Sequence, residues 1–270
     1  MTTTLNLKKF DMNEIKDDKV VVLIGKRDTG KSFLCRDILF RHRGIPVGQV
    51  ISGTEGANQF YSKMVPKLFI HDEFKPEIVE NILKRQKIMI EKINQGSGGA
   101  DQSIDPRAFL ILDDCLYDNS WAKDKNMRSV FMNGRHFKLL FLLTMQYALG
   151  IPPNMRTNID YVFILRENYV SNRKRLYEHY AGMFPTFEMF CQVMDQCTEN
   201  YECLVINNNA KSNKLSDQVF WYKAEPRPDF KIGGPSYWDY SDKNYTNHGG
   251  GDGMEATKSV KNPVNVQKLY

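Results

Sequence analysis

One stretch limits what this chain can fold into more than any other: Val20–Ser32, VVVLIGKRDTGKS. Val20, Val21, Val22, Leu23 and Ile24 are branched apolar residues without polar alternation, which predicts a strand buried on both faces. A loop of the form G-x-x-x-x-G-K-S follows, and a helix is expected from near Lys31. Each residue type has a physical task there. Gly25 and Gly30 let the backbone turn sharply and bring its N–H groups against phosphate oxygens. Lys31 would reach the β- and γ-phosphates, Ser32 would ligate Mg²⁺, and the helix N-terminus would face the anion. Asp28, Thr29 and Phe33 fall in the same nucleotide-binding set. The stretch implies a site for a nucleoside triphosphate, with ATP and Mg²⁺ as the expected cofactors.

The rest of the chain reads as alternating helices and strands. Ser32–Arg43 carries helical spacing and a basic end, and Gly44 and Pro46 stop it. Val47–Ser52 and Lys67–His71 are expected strands, with a turn-rich loop at Gly53–Gln59. Pro76 opens a long helix to about Gln95, whose apolar stripe runs through Ile78, Ile82, Leu83, Met89, Ile90 and Ile93. Gln95–Pro106 is too polar to bury and reads as a loop or linker. Strands are then expected at Ala108–Asp114, Leu139–Thr144 and Ile159–Leu165, and a strand pair at Tyr201–Ile206 and Val219–Tyr222. Helices are expected at Asn126–Gly134, Ser171–Tyr180 and Phe184–Gln196. This alternation implies an α/β fold with helices on both faces of a mainly parallel sheet in three layers, and with the phosphate loop the chain resembles P-loop NTPases of the RecA-like (ASCE) kind. Ligands of such sheets sit at the carboxyl ends of the strands. The domain is expected over residues 15–232, after a polar N-terminal arm (1–14) and before a Gly-, Ser- and Asn-rich C-terminal tail (233–270) without apolar periodicity, expected to be disordered.

A phosphate loop does not fix the reaction, and Asp113 and Asp114 narrow it. A carboxylate at the end of an apolar strand, here Asp113, can hold Mg²⁺ beside Ser32, usually through water. The next residue, Asp114, points the other way and can orient or deprotonate an attacking water. Gln146, just past a buried strand, could bond that water or the γ-phosphate, with Thr144 as a helper. Arg135 lies in the turn before the same strand.

Composition sets outer limits. A formal net charge of +5 permits contact with a polyanion without demonstrating it. No apolar run approaches the roughly 18 residues needed to cross a bilayer, and the N-terminus lacks the apolar core of a signal peptide. The five cysteines include no C-x-x-C pair and read as reduced structural thiols; the five histidines have no metal spacing, so no structural zinc is expected. No N-K-x-D follows a strand to read guanine, and no LSGGQ-like segment is present.

GKRDTGKS, FLILDD and NGRHFKLLFLLTMQ together resemble the DNA-packaging ATPases of large cytoplasmic DNA viruses, the poxvirus-type branch of the FtsK–HerA translocases. The resemblance covers roughly Val20 to Leu165, and its specific part is an arginine before a strand, Arg135, and a glutamine just after it, Gln146. It implies a homo-oligomeric ring around double-stranded DNA, ATP bound between subunits, and hydrolysis that drives DNA into a preformed capsid. Gln146 would then be a sensor of the γ-phosphate and Arg135 a finger acting on a neighbour's ATP. Capsid or packaging-vertex proteins would be partners, and the host cytoplasm (the virus factory) or the virion the location. The chain departs from the cellular branch in having Asp rather than Glu at position 114, and in holding Lys26, Arg27 and Asp28 where small residues are common. DNA contacts do not carry over by motif; Arg173, Lys174 and Arg175, and the Lys84, Arg85, Lys87 and Lys92 face of the long helix, are the basic candidates. A P-loop nucleoside or nucleotide kinase, another DNA-processing ATPase, and a non-catalytic scaffold that kept its nucleotide site remain the alternatives.

Overall fold

The apolar strands cross the middle of the molecule and send alternate side chains to opposite faces, which is why they carry no polar alternation. A computed structural model describes residues 5–95, 105–115 and 120–245. Eight strands form one sheet: β1 (Val20–Ile24), β2 (Val47–Ser52), β3 (Ile70–His71), β4 (Ala108–Asp113), β5 (Leu139–Met145), β6 (Tyr161–Ile164), β7 (Glu202–Asn207) and β8 (Val219–Lys223), in the order β3-β2-β4-β5-β1-β6-β7-β8. Strands β3 to β6 of that order are parallel, and β7 and β8 add an antiparallel edge.

On one face Val20, Val22, Leu110, Leu112, Phe141, Leu143 and Val162 pack under helices α2 (Pro76–Asn94), α3 (Lys125–Asn133), α4 (Val170–Tyr180) and α5 (Phe187–Cys197). On the other, Val21, Leu23, Phe109, Ile111, Leu140, Leu142 and Phe163 pack against α1 (Lys31–Arg41) through Leu34, Cys35, Ile38 and Leu39. The three-layer α/β/α architecture with a mainly parallel sheet is therefore the one expected. All five cysteines are free thiols, and burial pushes those of Cys35 and Cys203 well up and that of Cys115 to about 12, as suits structural packing. Among the described residues no helix is long and apolar enough to cross a membrane.

The structure corrects several expectations. The polar arm is tied down: Phe10, Met12 and Ile15 are buried, and the Phe10 N–H donates to the Trp221 carbonyl while the Trp221 N–H donates to the Lys8 carbonyl, which adds the arm to the edge of β8. These three buried residues, with Leu5 and Leu7 partly buried beside them, are scattered among polar and charged neighbours and mark no clear period. The tail is not disordered from residue 233, since Pro235–Asn244 is a helix, α6. It buries only Tyr237 and Ser241, one side chain per turn, which leaves no visible stripe. Tyr237 donates to the Gly48 carbonyl at 2.7 Å and stacks on Phe69 at 4.3 Å. Of the expected strand Lys67–His71 only Ile70–His71 pairs, because Lys67–Phe69 is a 3₁₀ turn. The long helix runs as predicted, but its apolar stripe is buried only to Leu83, and Ile93 is exposed. Single-turn helices at Glu55–Asn58, Ser120–Lys123, Pro153–Arg156 and Leu215–Gln218 were not expected. Most of the predicted 95–106 loop and the tail beyond residue 245 lie outside the described residues.

The anchored arm has a measurable cost of removal. Phe10 packs edge-on or tilted against Tyr161, Phe163 and Phe220 at 5.4–5.8 Å. Phe10→Ala is expected to destabilise the chain by about 3 kcal/mol in urea unfolding; a midpoint unchanged from wild type would return the arm to a loose one.

Candidate functional site

The loop after β1 takes its shape from sterics. A Cβ on Gly25 would lie 2.7 Å from Thr29 Oγ1 and 2.8 Å from Leu165 Cβ, so only glycine fits. Gly30, at φ 101°, sits in the left-handed region and caps α1 without any side-chain hydrogen bond; Asp28 is also left-handed, at φ 61°. No acidic side chain occupies the first turn of α1, so its free N–H groups favour an exogenous anion. Thr29 Oγ1 donates to the Lys26 carbonyl at 2.7 Å. The Lys31 ammonium is buried and donates to the carbonyls of Gly25 (2.5 Å) and Lys26 (3.1 Å). Burial lowers its pKa from the ordinary lysine value, opposed by the charges of Asp114 and Asp113.

The strand that carries the loop and the strand that carries the carboxylates are not neighbours; β5 lies between them. Parallel register places Ser52 of β2, Asp113 of β4 and Thr144 of β5 side by side at the carboxyl edge. Thr144 Oγ1 donates to Asp113 Oδ1 at 2.5 Å and accepts from the Asp114 N–H at 3.2 Å. Ser52 Oγ donates to Asp113 Oδ2 at 3.2 Å. Gln146 Nε2 donates to Asp114 Oδ2 at 2.9 Å. Asp114 has left-handed backbone, φ 50°, and its Oδ1 is buried with no hydrogen-bond partner. Burial raises the Asp113 pKa above the usual carboxylate value, partly offset by the hydroxyls of Thr144 and Ser52 and the charge of Lys31.

These groups face an open cleft of about 1180 Å³, floored by Gly30, Lys31, Ser32, Asp113, Asp114 and Gln146. Arg27, Asp28 and Phe33 also line it, Phe33 being 69% exposed. The fit to Mg²⁺ is chemical: oxygen donors of Ser32 and Asp113 share the cleft with an Asp114 oxygen that the protein leaves unpartnered. Sequence reasoning missed Ser52, which ends an apolar strand as Asp113 does, and also missed Thr54, Asn58, Tyr147, Tyr201 and the Lys223–Pro226 wall. Those come from segments distant in the chain, and only the fold brings them to the phosphate loop.

Of the other candidates, Lys26 lines the cleft and the rest lie outside it. Arg135 stands before β5, at the opposite end of the sheet, with its side chain 60% exposed and ion-paired to Asp160 at 3.1 Å. Seven residues of strand separate the two ends, about 23 Å, so Arg135 does not reach its own chain's cleft. Lys26 is turned to Glu167 at 2.6 Å, over the Tyr169 ring. Arg173 is not a free basic group: it pairs with Asp195 at 2.7 Å and donates to the Glu167 carbonyl at 2.6 Å, tying α4 to α5. Lys174 is exposed, and Arg175 lies over the Tyr147 ring at 5.1 Å.

Comparison with known proteins places this site in context. The chain is 41% identical over 247 residues to an uncharacterised protein of Acanthamoeba polyphaga mimivirus, covering 91% of this chain and 86% of that one. It is 42% identical over 245 residues to an uncharacterised protein of Invertebrate iridescent virus 6, covering 89% and 91%. Among solved structures, the genome-packaging NTPase of Sulfolobus turreted icosahedral virus 2 in complex with AMPPCP superposes with a TM-score of 0.52 at 16% identity, over 78% of this chain and 100% of that one. The pCW3 conjugation coupling protein TcpA, with bound ATPγS, gives 0.54 at 12% identity, over 78% and 61%. At these identities the likeness is one of fold, the three-layer α/β/α arrangement described above. No protein-family model matches.

The Thr144 hydroxyl joins both carboxylate residues, so its loss is expected to be felt beyond its size. Thr144→Val keeps the volume but leaves Asp113 Oδ1 and the Asp114 N–H short of a partner, and should cost about 1–3 kcal/mol in urea unfolding, while Thr144→Ser should recover most of it. Equal stability of Thr144→Val and wild type would show that the hydroxyl does not hold the row.

Proposed function

This chain belongs to the family of large-DNA-virus proteins that includes those of mimivirus and Invertebrate iridescent virus 6, and from that premise we propose that it is a Mg²⁺-dependent ATPase that drives double-stranded viral DNA into preformed capsids. The observation that carries the hydrolytic part is the hydrogen-bonded set Asp113–Thr144–Asp114–Gln146 beside the phosphate loop. The likeness of fold to a viral genome-packaging NTPase supports the packaging part.

The chemistry follows from the groups present. Backbone N–H groups of residues 25–32 and the uncapped start of α1 receive the phosphates, with the Lys31 ammonium on the β- and γ-phosphates. Ser32 and Asp113 would hold Mg²⁺, which supplies charge neutralisation on the transferring phosphoryl group. Asp114, held by Gln146 on one oxygen, would orient the attacking water and take its proton. The water adds to the γ-phosphorus, the bond to the β-phosphate oxygen breaks, and ADP and phosphate leave. A second aspartate directly after Asp113, held in place by Gln146, favours water over a nucleoside as acceptor.

Arg135 completes the site from a neighbouring subunit of a homo-oligomeric ring, because it is exposed at the far end of its own sheet. DNA contact is through phosphates, with the net positive charge supplying attraction and Lys174 and Arg175 as the basic groups remaining on α4. Capsid or packaging-vertex proteins are the further partners, and the virus factory of the host cytoplasm or the virion is the place of action.

ATP hydrolysis by the purified chain, with and without duplex DNA, tests this. Lys31→Ala should lose nucleotide binding, whereas Asp114→Asn should bind ATP and turn over about 10²–10⁴-fold more slowly. Wild type that hydrolyses no ATP in the presence of DNA and capsids would overturn the motor; phosphate transferred to a nucleoside would make it a kinase. Arg135→Ala should lower turnover about 10³-fold, and mixed with wild type it should also silence wild-type sites. Inactivation confined to the mutant subunit's own site would remove the role in trans.

A further inference from the structure

The lining of the cleft is of two chemical kinds: beside Lys31, Asp113, Asp114 and Gln146 stand Tyr201, Phe33, Ala224 and Pro226, which present rings and apolar surface. These rings and apolar groups have no task in binding phosphates.

Tyr201 is held there at a conformational cost. The turn entering β7 closes with the Glu202 N–H donating to the Glu199 carbonyl at 2.9 Å, and both central residues are left-handed, Asn200 at φ 51° and Tyr201 at φ 64°. Turns with two such residues strongly favour Asn-Gly, because a bulky side chain is strained at positive φ. Here the glycine position carries a tyrosine. Its side chain is not buried in the core in return, since Tyr201 is 67% exposed. It is instead set against the phosphate loop: a Cβ at Gly30 would meet Tyr201 Cδ1 at 3.4 Å. Strain retained at an exposed aromatic in a cleft marks a functional group.

The facing wall is fixed to the same helix that holds the phosphates. Asp37, fully buried on α1, accepts from the Glu225 N–H at 3.0 Å and from Arg227 Nε at 2.7 Å, which locks the Lys223–Pro226 segment to α1. Ring and wall are therefore built at a set position relative to Lys31 and Ser32.

We propose that Tyr201 is the platform on which the base of the bound nucleotide stacks, so that the cleft recognises a nucleoside triphosphate by a π-face as well as by its phosphates. The inference rests on the nucleotide-binding reading of the cleft. Stacking needs only a flat base and grows with its area, so purine nucleotides bind more tightly than pyrimidine ones.

Calorimetric titration of the full chain with ATP, CTP and inorganic tripolyphosphate, in Mg²⁺ buffer, tests it. Tyr201→Gly suits the turn, so its melting temperature should equal or exceed that of wild type, and Tyr201→Asn, which also tolerates left-handed backbone, is the second variant. Both should bind ATP about tenfold or more weakly than wild type, lose the preference over CTP, and bind tripolyphosphate as wild type does. Tyr201→Phe keeps the ring and should keep ATP affinity. Undiminished ATP binding by Tyr201→Gly and Tyr201→Asn would overturn the stacking role and leave the nucleotide site standing. Equal weakening of ATP and tripolyphosphate would overturn it too, by making Tyr201 a support of the Gly30 turn. Wild type that binds neither ligand would remove the nucleotide site itself, and the proposal with it.

Discussion

Strand register is the constraint on which the site depends. Ser52, Asp113 and Thr144 each stand at the end of an apolar strand, and parallel pairing sets them opposite one another. Residues in register on parallel strands share a face, so three polar side chains distant in the chain come within hydrogen-bond reach. A slip of one residue would turn each strand's side chains to the other face of the sheet, taking both the core and the row with it. The same apolar rows that bury Leu110, Leu112, Phe141 and Leu143 therefore also aim the carboxylates. Thr144 is the joint of the row. Its one proton goes to Asp113 and its lone pair takes the Asp114 N–H, so one buried hydroxyl sets the direction of two residues with different tasks.

Two carboxylates in this molecule, Asp37 wholly buried and Asp114 with one buried oxygen, have opposite fates, and the count of their donors decides which. Asp37 is fully buried and receives the Tyr222 hydroxyl at 2.5 Å, the Glu225 N–H and Arg227 Nε. Such a group is satisfied within the protein and serves geometry, because a buried charge network fixes orientation more than it adds stability. Asp114 receives Gln146 on one oxygen and keeps the other unpartnered. A buried oxygen without a donor is a cost to the fold that a purely structural site would remove. Lys31 and Asp113 show the same tension, since burial disfavours the charged form of each while the pair favours it. Perturbed groups of opposite sign in one cleft mark a place where chemistry, and not packing, chose the residues.

What was legible in the sequence follows the same logic. The phosphate loop could be read because its strand, glycines and helix start are contiguous, and each residue type meets a local demand. Asp113 and Asp114 could be read because an apolar run that ends in two acids has few other uses. Ser52 and the Lys223–Pro226 wall could not, since their meaning exists only across strands. Tyr201 was absorbed into the start of a strand, where its aromatic character fits by propensity; that it occupies a left-handed turn position is a property of backbone alone. Arg173 gave the opposite error. Charge on a helix suggested a free basic group, but Asp195 and the Glu167 carbonyl take it up. The arm and α6 were missed because each buries too few side chains to show a period.

The helix that begins the site also limits how the site can move. α1 carries Lys31 and Ser32 in its first turn and is fastened along its length to the segment after β8: Arg36 reaches the Pro228 carbonyl at 2.9 Å and Asp229 at 2.7 Å, Asp37 takes Glu225 and Arg227, and Arg41 reaches Glu225 at 3.3 Å. A helix tied at successive turns moves with what it is tied to. The start of the phosphate site and the 223–229 wall are thus fastened into one body. Arg135 belongs to no part of that body, because β5 separates it from the cleft and Asp160 holds it at the other edge of the sheet. Within one chain the phosphate loop and the arginine before β5 therefore stand at opposite edges of the sheet.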